Sequence, residues 1–108
     1  MTMFTLDSQN KPVAESSAAR WAAWMTANVA KRRVAHDDVG PYIISTIFLG
    51  VDAGFMDPPE LWQTIVFQRQ KHDTPHVVQM TLYPSLEVAE AGHLEATSLA
   101  KTLFVGNA

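Results

Sequence analysis

Two runs of β-branched and aromatic residues, 42–51 and 61–68, face each other across a loop that holds Asp52, Gly54, Asp57, Pro58, Pro59 and Glu60. Such runs, bounded by turn-forming residues, predict strands, and these two mark the centre of a sheet. Residues 3–6 alternate as a short strand and lead into Asp7-Ser8-Gln9-Asn10-Lys11-Pro12. Side chains of that kind bond their own backbone, so an N-terminal hairpin is expected. Ser16 or Ser17 can cap a helix in which Trp21, Trp24, Met25 and Val29 recur at three- and four-residue steps, which places two indoles on one buried face. Residues 34–38 read as extended, and Val39-Gly40-Pro41 turns the chain back into the run that starts at Tyr42. A further strand is expected over residues 76–83, after the polar loop 69–75.

Connections this short and non-helical do not carry parallel crossovers, so the strands should pair as an antiparallel meander. Ser85 is a candidate N-cap, with Glu87 in the first turn where the helix dipole favours an acid. The helix it opens should reach about Phe104, burying a stripe of Val88, Ala89, Gly92, Ala96, Leu99 and Leu103 with His93 on its flank. The small residues at 89, 92 and 96 would let this helix lie close to the sheet. The expected architecture is one α+β domain over residues 1–108, an antiparallel meander of about four or five strands with the N-terminal and C-terminal helices packed on one face.

Composition narrows the function classes. At 47% hydrophobic and 18% charged, the 108 residues hold enough apolar surface to offset the chain entropy lost on folding. A formal charge of −3 argues against a phosphate-binding surface. The one basic cluster, Lys31-Arg32-Arg33, falls where a helix should end and its dipole is negative. There is no cysteine, hence no disulfide framework, no thiol nucleophile and no thiolate metal site. Residues 1–7 lack the basic start and long apolar core of a signal peptide, and no apolar run approaches the ~20 residues of a membrane span. These features fit a cytoplasmic protein.

Laid end to end, the motifs resemble those of a group of small bacteriophage and prophage proteins. The likeness rests on Asn10-Lys11-Pro12, Trp21, Arg33-Val34-Ala35, residues 44–52 (Ile-Ser-Thr-Ile-Phe-Leu-Gly-Val-Asp), Pro58-Pro59, residues 62–67 (Trp-Gln-Thr-Ile-Val-Phe), Tyr83 and Ala91-Gly92-His93. It runs through nearly the whole chain in order. The resemblance implies a phage or prophage setting in a bacterial host and brings no activity with it. Ala53 stands where the group has His, and Gln63 where it has Glu. A metal or acid/base site built on that pair in relatives would be missing here.

Asp52, Asp57 and Glu60 offer hard-cation ligands, but EF-hand spacing is absent and acids in such loops cap turns. His72 and His76 flank Asp73, yet Pro75 prevents the helix that would aim both rings at one ion. Ser45 lies within a strand, not on a nucleophile elbow. No metal and no cofactor is expected.

Two functional readings follow. In the first the chain is a small non-enzymatic accessory protein that binds a macromolecule, a protein above all. Its 52–60 loop (Asp52, Phe55, Met56, Asp57, Glu60) is then the contact surface, and inhibition of a host defence system is one instance of the role. In the second it is a small enzyme or ligand-binding domain whose pocket gathers Asp52, Tyr83 and His93. A self-assembling structural protein is a third class, to be recognised by a symmetric oligomer.

Overall fold

The computed structural model describes every residue except Met1, Ala53, Met56, Asn107 and Ala108. Two strands, β1 (Met3–Leu6) and β2 (Pro12–Glu15), pair antiparallel as a hairpin. Its turn is held as the residue types require. Asp7 Oδ1 accepts from the backbone N–H of Gln9 at 2.8 Å and of Lys11 at 2.9 Å, while Asn10 takes a left-handed φ of +62° that its short amide tolerates. The Lys11 and Gln9 amides together hold the Asp7 carboxyl below its ordinary value. Lys31 Nζ donates to the Asp7 carbonyl at 2.8 Å, tying the hairpin to the following segment.

Ser17 is the N-cap of α1 (Ala18–Ala27), its Oγ accepting from Arg20 N at 3.2 Å. Just before the cap, the Glu15 carboxyl is lowered by the Ser17 N–H and by the Arg20 side chain. A single turn, α2 (Val29–Arg32), completes the helical part. Met25 is buried, and Trp21 Nε1 lies between the carbonyls of Phe4 at 3.2 Å and Gly50 at 3.1 Å. Trp24 meets Phe48 edge-on at 6.0 Å. Val29, expected on this face, is exposed instead, because the α-helix breaks at Asn28. Within the basic cluster, Arg32 reaches the carbonyls of Phe48 and Met25, so that charge serves internal bonds.

The main sheet has the order β3 (Arg33–Val39), β4 (Tyr42–Phe48), β5 (Trp62–Gln68), β6 (His76–Tyr83), with every neighbouring pair antiparallel. Its buried face carries Tyr42, Ile44, Thr46 and Phe48 from β4, with Trp62, Thr64 and Val66 from β5. Over this face lies α3 (Leu86–Gly106), in contact with all four strands. The N-terminal helix does not lie along the sheet. It packs on the β1–β2 hairpin, and its Trp24 joins the sheet's core beside Phe48. Among the described residues no helix is long and apolar enough to cross a membrane.

The buried stripe of α3 is Ala89, Gly92, His93, Ala96 and Ala100, with Leu103 packed against it. Val88 and Leu99, assigned to the stripe on sequence, are exposed, and His93 moves from its flank to its centre. The reason is angular: steps of three and four residues from Ala89 lead through 93, 96 and 100, and successive residues such as 88 and 89 point about 100° apart.

Candidate functional site

The 52–60 loop leaves the sheet between two pinned ends. On one side Leu49 N donates to Leu61 O at 2.7 Å and closes the base of the loop. On the other, Gly50 has a φ of +76° and its carbonyl accepts from Phe4 N at 2.8 Å as well as from Trp21, and Val51 bridges to Met3. Only glycine adopts that φ without strain, and an added Cβ would press on Met25 and the Trp21 indole.

From this base Phe55 projects with 76% of its surface exposed and a left-handed φ of +52°, a conformation that costs a non-glycine residue about 1–2 kcal/mol. Asp57 is exposed, while Asp52 and Glu60 are half-buried. Met56, proposed on sequence as the second apolar anchor, lies outside the described residues.

A second constellation sits beneath α3 and was not visible as a unit in the sequence. His93, expected on the flank of the helix stripe, is 2% exposed with both ring nitrogens engaged. Nε2 lies 2.7 Å from Asp37 Oδ2 on β3, and Nδ1 lies 2.6 Å from Thr46 Oγ1 on β4. Thr46 Oγ1 in turn bonds Thr64 Oγ1 on β5. With the carboxylate ionised and the imidazole neutral, Nε2 donates to Asp37, Nδ1 accepts from the Thr46 hydroxyl, and Thr46 accepts from Thr64.

The order acid, imidazole, hydroxyl is that of a nucleophile relay. Thr46 and Thr64 are only 0% and 2% exposed, however, so neither hydroxyl reaches a substrate. The Asp37 carboxylate, 51% exposed, is the only wet end. The arrangement joins helix to sheet across three strands. Its sequence signal was slight: two threonines at inward positions of neighbouring strands and one histidine on an alanine-rich helix.

Of the three residues of the enzymatic reading, His93 is buried and Asp52 half-buried, and Tyr83 borders a cleft. That cleft, of about 270 Å³, is lined also by Gln79, Thr81, Gly92, Glu95, Ala96 and Leu99 and includes neither Asp52 nor His93. His72 and His76 are exposed. Among the described residues no three acidic or imidazole side chains are grouped to hold a metal ion.

No known family model matches the chain, and no curated protein or solved structure is significantly similar to it.

Proposed function

We propose that the chain is a non-enzymatic binding protein that docks a protein partner on its 52–60 loop. The observation that carries this reading is Phe55, an aromatic side chain 76% exposed at the crest of a loop whose two ends are fixed by the sheet and the hairpin. Aromatic anchors contribute most to protein–protein affinity, and polar residues such as the exposed Asp57 suit the rim of such an interface. In this reading, which rests on the resemblance to bacteriophage and prophage proteins, the partner is a protein of a bacterial host, a defence protein being one instance.

The enzymatic alternative is less favoured because a catalytic pair must reach its substrate, and His93 is 2% exposed with its hydroxyl partner Thr46 at 0%.

The test is affinity capture from bacterial lysate with the wild-type chain and with Phe55→Ser. Loss of the captured partner is expected, at an unchanged melting temperature because the replaced ring contributes little buried area. Capture that survives in the folded variant would remove the loop from the interface.

A further inference from the structure

Two edges bound the four-stranded sheet, and they differ in chemistry. β3 carries Arg33, His36, Asp37 and Asp38, and its register with β4 is interrupted between Arg33 and Ala35. Charges and bulges of that kind discourage a further strand. β6, at the other edge, pairs with β5 alone. Its residues 77–83 include no acid, no lysine or arginine and no proline. The register slips only near Val77, where Val66 pairs with Gln79 and Phe67 with Val77, so residues 79–83 run regularly. In an antiparallel pair every second residue turns its N–H and C=O away from the neighbour. β6 therefore offers an outward row of backbone donors and acceptors, and an extended backbone ~4.8 Å away is the group that matches them.

Along this edge α3 leaves part of the sheet's inner face open. The opening is the cleft between the inward side chains Gln79, Thr81 and Tyr83 of β6 and the side of α3 that carries Gly92 and Glu95. Two of its groups point to a ligand. Tyr83 is 6% exposed with its ring against Gly92, and its hydroxyl has no hydrogen-bond partner among the described residues. Buried phenols ordinarily have one. Among the described residues no polar side-chain atom is both sealed from solvent and unpartnered, so this hydroxyl opens on the cleft that Tyr83 lines. Glu95 is the one charged residue of the cleft; it is exposed and forms no ion pair among the described residues.

We infer that β6 and this cleft bind an extended segment of another protein, added to the sheet as a further strand, with a lysine or arginine side chain entering the cleft. The backbone row sets the extended form, and the cleft selects the side chain. Side chains of a strand alternate between the two faces, so those on the inner face of the added strand project beside α3. There a carboxylate and a phenol oxygen both accept from an ammonium or guanidinium group, and no cation of this chain lines the cleft to compete. An acidic side chain would meet Glu95 with nothing to offset the repulsion. No described residue of the 52–60 loop borders the cleft, so the two surfaces are separate.

The test is an array of short immobilised peptides, degenerate at every position but one, with that one scanned through all amino acids. The wild-type chain should be retained severalfold better where the scanned residue is lysine or arginine than where it is leucine or glutamate. Glu95→Gln should erase that preference, and Glu95→Lys should turn it toward aspartate and glutamate. Tyr83→Phe should weaken the selected peptides about fivefold, the effect of one hydrogen bond, without lowering the melting temperature, because the hydroxyl bonds nothing in the fold. Methylating the backbone nitrogens of a selected peptide should abolish its binding. General attraction of basic peptides to an acidic protein would survive Glu95→Gln, and that survival would overturn the inference. So would undiminished binding of the methylated peptide, or an array that retains nothing. A wild-type dimer with its β6 amides protected from exchange would overturn it too, by giving the edge to a second copy. Phe55→Ser should select the same peptides, so strand addition and loop docking fail separately.

Discussion

Replacing His93 with leucine should lower stability by about 3–5 kcal/mol, read as a large fall in the urea midpoint. Two terms add. The bond from Nε2 to the Asp37 carboxylate, of a type worth ~1.5–3 kcal/mol, is lost. The Thr46 hydroxyl, 0% exposed, also loses its acceptor, and an unsatisfied buried hydroxyl costs ~1–3 kcal/mol. The sum is a large share of the 5–15 kcal/mol that holds a small domain together. Removing both partners of a buried hydrogen bond costs less than removing one. Thr46→Val should therefore be much milder in the His93→Leu background than in the wild type, with a coupling of at least ~1 kcal/mol. Strict additivity would show that the histidine and threonine do not act as one unit.

Gly92→Leu should be the other severe change, with a melting temperature several degrees or more below the wild type. A Cβ at Gly92 would run into the Tyr83 ring, which is itself buried, so leucine cannot enter without displacing Tyr83 or lifting the helix. Overpacking of a fitted contact costs ~1–3 kcal/mol, and here it also disturbs the seating of His93 one residue later. Gly92→Ala should be gentler, since the ~1 kcal/mol gained in helix propensity offsets part of the clash. A Gly92→Leu variant more stable than the wild type would show that α3 does not rest on Tyr83.

Local signals in this sequence were readable and distant ones were not. The Asp7 turn, the Ser17 cap and the β-branched runs each declare themselves within a few residues, and strands, hairpin and helices appear where those signals place them. The polar chain under α3 depends on partners far apart: His93 is 47 residues from Thr46 and 56 from Asp37. Nothing near His93 marks Asp37 as its acceptor rather than any other acid. The helix stripe was displaced toward Val88 and Leu99 because both are larger and more apolar than Ala89 or Ala100. Proximity to the sheet favours the small residues, and leaves the large ones outward. The N-terminal helix was expected on the same sheet face as the C-terminal one. The hairpin carbonyl of Phe4 and the Gly50 turn supply the partner for Trp21.

The loop reading remains the centre of the functional account, and hydrogen–deuterium exchange on the captured complex tests it most directly. Binding should slow exchange at amides between Gly50 and Leu61, with Phe55 at the middle of the footprint, and leave the cleft between β6 and α3 unchanged. A complex in which that loop exchanges as freely as in the unbound protein, while protection appears elsewhere on the surface, would contradict it.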